Sequence, residues 1–188
     1  MSTSAVKSVN GVNVSQLMAT IEHIQEQPDL ARFTFRAQTE WQDGGHTRTR
    51  IKGFYGAGKE DDSRTEPMVL QGDEPPILLG ENHGPNSVEV VLHALTSCLS
   101  VGFIYNAAAR GIEVQKLDME VEGDLDLHRF LGLSQESRAG FEGIQVRYSA
   151  VADATHDELV ELCDHVQRTS PVLDILANPV PVSVSMTS

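Results

Sequence analysis

The chain has 188 residues, of which 40% are hydrophobic, enough for a real core in one domain or one domain plus an arm. Its net charge of −13 excludes the basic stripe that nucleic-acid binding needs and argues against anionic membrane surfaces. No basic segment followed by an apolar run opens the chain, so it reads as cytoplasmic, where its two cysteines are thiols by default.

Residues 1–12 are small and polar and are expected to form a loose arm. Asn13 then caps a short helix with Val14, Leu17, Ile21 and Ile24 on one face, and Pro28 follows its end. These pieces make up an N-terminal region over 1–30, and one domain is expected over 31–188. Alternation of Phe33, Phe35 and Ala37 with Thr34, Arg36 and Gln38 predicts a strand over 33–40, and residues 41–45 read as a hairpin turn. The returning strand, about 46–55, puts His46, Arg48, Arg50 and Lys52 on one face. Residues 56–64 read as a polar loop and 67–71 as a short strand, which Asp73-Glu-Pro-Pro76 ends.

Residues 86–111 form one long apolar helix with Cys98 near its middle. Asn86 is its N-cap and Glu89 the reciprocal partner, while Gly111 provides the left-handed stop beside Arg110. The length is about the ~20 residues that a bilayer requires. However, Glu89, His93, Asn106 and several hydroxyls are expensive in lipid, and the flanks lack clustered Lys and Arg. A helix apolar nearly all round is buried on most sides, which in so small a chain predicts a partner subunit.

Beyond the helix, Leu117, Met119, Val121, Leu125 and Leu127 share one strand face, with Asp118, Glu120, Glu122, Asp124 and Asp126 on the other. Those five carboxylates spread over about 27 Å of strand and read as a solvated face, not a cation site. Residues 129–140 connect to another strand carrying Ile144, Val146, Tyr148, Ala150 and Ala152. Thr155 and Glu158 form a second capping box, and the helix after them buries Leu159, Leu162, Cys163 and Val166. Ser170-Pro171 starts a new helical turn, Asn178-Pro179 ends it, and Val180, Val182, Val184 and Met186 are expected to close the chain as a strand.

Two chemistries compete for Cys98. A nucleophilic thiol needs a nearby cation or helix N-terminus, and a mid-helix position gains little from the dipole. The cation must then come from another segment, and the His46, Arg48, Arg50 face is the place to seek it. The alternative is an inert, buried structural thiol. Glu89 points to the opposite side of the helix from Cys98 at 100° per residue, and capping accounts for it. The cysteines have neither C-x-x-C nor metal-ligand spacing, and no metal or cofactor is implied.

The segments Gly84-Pro-Asn-Ser-Val-Glu89, His93-Ala-Leu-Thr-Ser-Cys98, Arg110-Gly-Ile112, Arg138-x-Gly-Phe141 and Ser170-Pro171, in this order, resemble the OsmC/Ohr (osmotically inducible protein C / organic hydroperoxide resistance) family. The resemblance spans roughly 33–186. It implies an α+β fold, an intertwined homodimer of antiparallel sheets around long central helices, and active sites at the subunit interface. In the family one cysteine on the central helix attacks an organic hydroperoxide and a second, just before a proline, resolves the sulfenic acid, with an arginine and a glutamate assisting. Cys98 matches the attacking cysteine. The resolving position falls on Ser170, which has no sulfur. The glutamate position falls on Val88, beside Glu89, and the arginine has no unique match: Arg48 is nearest the hairpin, with Arg36 and Arg50 as rivals. The implied function is a thiol peroxidase without its resolving cysteine, served by an external thiol reductant. The alternative is a non-catalytic protein of the same scaffold that holds an apolar small molecule.

Overall fold

The computed structural model of the protein describes residues 8–187. In chain order the elements are β1 (Ser8–Val9), β2 (Val12–Asn13), α1 (Val14–Glu26), β3 (Gln38–Asp43), β4 (His46–Ile51), β5 (Phe54–Gly56), β6 (Lys59–Asp61), β7 (Met68–Gly72), α2 (Ser87–Ala109), β8 (Val114–Asp124), β9 (Gly143–Ala152), α3 (His156–Thr169) and α4 (Pro171–Ala177). All strand pairs are antiparallel, so the α+β class with antiparallel sheets is what the chain adopts. The chain divides into two compact units, Ser15–Val91 and Leu92–Ser188 with Met1–Val14, and α2 runs from one into the other.

In the unit Ser15–Val91, β3, β4 and β7 form a sheet with β4 in the middle. The turn between β3 and β4 is tight, with Gly44 in the left-handed region and its N–H held by Asp43 Oδ1. The expected strand over 33–40 begins only at Gln38. Before it, Thr34 makes one isolated bridge to Tyr55, and Phe33 and Phe35 stack with Phe54 instead of alternating across a ladder. Gly56 is required there, because a Cβ would lie 2.2 Å from the Phe33 ring. The expected polar loop over 56–64 is also corrected. Ala57 and Gly58, both at positive φ, turn the chain so that β5 and β6 form a hairpin.

Asp73 organises the loop after β7. Its carboxylate is buried and accepts the N–H groups of Glu74, Glu81 and His83 together with the His83 ring. Those donors hold the carboxyl far below the usual carboxylate range, the His83 amide first among them and in spite of burial. The loop delivers the chain to α2, where Asn86 Oδ1 accepts the Val88 N–H and Glu89 Oε2 accepts the Asn86 N–H, as the capping pattern predicts.

In the other unit, α2 and α3 pack on one face of the β8–β9 ladder. Leu95, Leu99, Phe103, Ala107, Leu162 and Val166 form the buried centre, and Leu117, Met119, Val146 and Tyr148 close it from the sheet. The opposite sheet face is solvated, with Asp118 paired to Lys116 and Glu122 to Arg147. Asp126 lies past the end of β8, so it leaves that row of carboxylates. It accepts from His128 and Ser137, which lower its carboxyl to about 2. Gly111 ends α2 at φ 75°. The capping box of Thr155 and Glu158 starts α3, and Ser170 caps α4.

Two expectations fail in this unit. The arm is not loose throughout. Residues 1–7 lie outside the described residues, but β1 and β2 form a small hairpin, and Asn10 at its tip donates to Ile112 O and accepts from Val114 N. The expected closing strand over 180–186 is not formed either. The segment joins no ladder among the described residues, and Val182, Val184 and Met186 are 78–99% exposed.

Candidate active site

Cys98 and Ser170 come together. The sulfur lies on the α3-facing side of α2, and the cap that opens α4 places the Ser170 Oγ 3.3 Å from it. Ser170 is only 6% exposed. Its oxygen accepts the Leu173 N–H at 3.2 Å, and in the contact with sulfur either the hydroxyl or the thiol can donate. Cys98 itself is half-buried. The seam that brings them together is close. A Cβ on Gly102, one turn beyond Cys98, would sit 3.0 Å from the Val166 side chain, one turn before Ser170. The two helices therefore run antiparallel past each other, a four-residue step on one matching a four-residue step on the other.

Cys163 is set back along this seam. It packs against the core with Tyr148, and burial, then the charge of Asp164, push its thiol up. Tyr148 is on the core face of β9, as the alternation predicts, with its ring 6.0 Å from Phe103. Its hydroxyl oxygen is buried and has no hydrogen-bond partner among the described residues. Burial, then the charges of Cys163 and Cys98, push the phenol up to about 12. Sequence periodicity marks Tyr148 only as a core residue, and nothing in it signals the unpartnered oxygen.

The remaining candidates belong to the unit Ser15–Val91. Of the three arginines, Arg36 makes a bidentate pair with Glu60 and Arg50 pairs with Glu40. Arg48 is half-buried on β4 and, among the described residues, its guanidinium makes no hydrogen bond or ion pair. Glu89 is occupied at the helix cap. In the part of α2 that carries Cys98, His93 is exposed.

A second polar cluster went unnoticed in the sequence. His46 and His83 stack with ring centroids 4.4 Å apart and planes within 13°, His46 touching Gln71 and His83 touching Asp73. Parallel rings direct their nitrogens along separate planes, so the two do not converge on one ion. The cluster closes the loop that leads to α2.

A family model described as OsmC-like protein matches residues 80–185, more than half of the chain, and the chain belongs to that family. Solved structures agree on the fold. An OsmC-like protein from Mycoplasma pneumoniae matches with a TM-score of 0.58 at 15% identity, over 78% of this chain and 89% of that one. A protein from Aquifex aeolicus VF5 matches with a TM-score of 0.54 at 14% identity, over 77% and 87%. An organic hydroperoxide resistance protein, OsmC, from Legionella pneumophila matches with a TM-score of 0.50 at 17% identity, over 76% and 88%. No curated protein matches the sequence.

Proposed function

We propose that this OsmC-like protein is a one-cysteine thiol peroxidase that reduces organic hydroperoxides and works as a homodimer. The observation that carries the reading is the 3.3 Å contact between Cys98 and Ser170. The serine occupies the place of the resolving thiol opposite the attacking one. The Cys98 thiolate attacks the terminal peroxide oxygen. As the S–O bond forms, the O–O bond breaks, and the leaving alkoxide takes a proton to become the alcohol. Cys98 is left as a sulfenic acid. Ser170 has no sulfur with which to displace the oxygen, so an external thiol condenses with the sulfenic acid and releases water. A second thiol then frees Cys98 as the mixed disulfide is exchanged.

We assign the assisting cation to Arg48, because its two rivals are each committed to a carboxylate while Arg48 is not. An assisting arginine is what the family resemblance implies, and a cation favours the thiolate. Glu89 is assigned to the cap of α2. The homodimer reading is supported by apolar side chains of α2 and of the C-terminal segment that the single chain leaves exposed.

The test is intact-mass analysis after one equivalent of cumene hydroperoxide. A gain of one oxygen that dimedone traps, that maps to Cys98 and that is lost in Cys98→Ser is expected. Arg48→Met should slow its appearance about tenfold or more, the scale of one lost charge-assisted contact. If Cys98 stays unmodified under excess hydroperoxide, it is a structural thiol, and the reading as a non-catalytic binder of apolar small molecules replaces this one.

A further inference from the structure

Among the described residues, two polar or charged side chains are buried, Asp73 and Ser170. Asp73 spends its oxygens on its own loop. The Ser170 hydroxyl instead reaches a sulfur 72 positions away in the chain, at 3.3 Å. Its place is fixed by the cap of α4, where its oxygen accepts the Leu173 N–H. Accepting that hydrogen polarises the O–H bond. The neighbouring hydroxyl, Thr169, donates back to His165 O on its own helix, so it leaves the contact to Ser170. Besides the Leu173 amide, the Cys98 sulfur is the hydrogen-bond partner of the Ser170 hydroxyl among the described residues. In the neutral pair either group can donate, but a thiolate has no hydrogen. Once Cys98 has lost its proton to water, Ser170 is the only donor of the two.

We infer that Ser170 is itself a catalytic residue, whose hydroxyl donates a hydrogen bond to the Cys98 thiolate and so raises the share of Cys98 that is ready to react. This deepens the thiol chemistry proposed above and rests on it. Serine here is then more than a resolving thiol without its sulfur. It removes the intramolecular disulfide step and keeps a donor on the nucleophile. No rearrangement is needed, because the sulfur and the oxygen are already in contact and only the hydroxyl hydrogen has to turn. A hydrogen bond to a charged acceptor is roughly twice as strong as one to a neutral acceptor, so the contact favours the ionised sulfur over the thiol. The donor is preorganised before the charge appears, which is the arrangement that lowers a barrier. A cation acts on the sulfur through its charge alone, whereas this hydroxyl acts through one directed bond.

The test uses Ser170→Gly in a Cys163→Ser background, so that Cys98 is the sole thiol. Glycine is nearly as good an N-cap as serine, so the helix start is kept while the hydroxyl is lost. The rate of Cys98 alkylation by iodoacetamide is followed from about pH 5 to about pH 10, across the range in which thiols ionise. Loss of one hydrogen bond to a charged sulfur should move the half-plateau pH up by about one unit. A more basic thiolate is also a better nucleophile, by nearly half of each unit gained. The variant should therefore react about threefold more slowly than its parent on the acid limb and about threefold faster on the alkaline plateau. A serine that only caps α4 would leave both the midpoint and the plateau in place. Superimposed profiles, or one rate factor at every pH, would overturn the inference while leaving the peroxidase reading intact. If the parent alkylates but never forms a sulfenic acid with cumene hydroperoxide, the peroxidase reading falls, and the profile still decides the role of Ser170. A Cys98 that reacts with neither reagent overturns both. If Ser170→Gly does not fold, Ser170→Asp serves, because aspartate caps as well as serine but sets a carboxylate beside the thiolate. Its half-plateau pH should rise by more than one unit, and an unchanged one would overturn the inference.

Discussion

At position 170 a hydroxyl and a thiol differ by one atom, and under the proposed chemistry that atom decides how an oxidised Cys98 is resolved. Ser170 caps α4, stands before Pro171 and lies 3.3 Å from the Cys98 sulfur, so its side-chain direction is already set. Ser170→Cys should form a disulfide with Cys98 under hydroperoxide and turn over faster with a dithiol reductant than the natural protein, and Cys98→Ser should abolish both effects. Peptide mapping and reductant consumption read the outcome. If no disulfide forms and Cys98 is unreacted in both proteins, catalysis by this thiol is excluded. Asp73 acts on the same scale in a different role. Its two oxygens accept four hydrogen bonds, and an asparagine would aim a donor at some of those donors. Asp73→Asn should speed hydrogen exchange at the amides of Glu74, Glu81 and His83. Because the folded carboxyl is depressed, its stabilisation is fully present above the ordinary aspartate value of about 3.9 and is lost as pH falls below it. The gap between wild type and Asp73→Asn should therefore close on acidification below about pH 4, and a gap unchanged down to pH 2 would exclude this account.

The α2–α3 seam sets what Cys163 can do. Ser170 faces Cys98 and Val166 faces Gly102, so Cys163 lies about two turns, or roughly 10 Å, along the seam from Cys98. Disulfides need Cα atoms within about 7 Å. No Cys98–Cys163 disulfide should form in folded protein under peroxide, and recovering that linked peptide without denaturant would contradict the seam. The β1–β2 hairpin acts as a clip, since Asn10 bonds both Ile112 O and Val114 N just after α2. Asn10→Ala leaves a half-buried carbonyl and an amide without these partners and should cost about 1–3 kcal/mol in a denaturant titration. The caps at Asn86, Thr155 and Ser170, the stop at Gly111 and the core faces of β8 and β9 were legible in the sequence, because each is a local rule. The pairing of Cys98 with Ser170 was legible only through the order of the motifs. The Asn10 clip joins residues about a hundred positions apart, and the Asp73 loop folds around a carboxylate that reads as a strand breaker. Neither leaves a periodic signal. The β5–β6 hairpin was missed because Ala57, a non-glycine residue at positive φ, shares its turn with Gly58.

At the scale of the molecule, the uncovered apolar side chains call for a partner. Val101 and Tyr105 on α2 are 52% and 49% exposed, although the helix is apolar nearly all round. Residues 180–186 keep a strand's alternation of Val180, Val182, Val184 and Met186 yet join no strand ladder among the described residues. An unpaired apolar segment of this kind is a ready edge for a second copy, and a closed two-fold dimer satisfies both copies at once. Sedimentation at micromolar concentration should therefore give a dimer. The paired substitution Val182→Asp and Val184→Asp tests the tail directly. In the single chain both side chains lie in solvent, where such changes alter stability by no more than about 0.5 kcal/mol. If the tail is buried against a second copy, two carboxylates enter an apolar contact without partners, and the dimer should dissociate at concentrations where the natural protein stays paired. A monomeric natural protein, or a double variant as dimeric and as stable as its parent, would overturn this assignment of the tail.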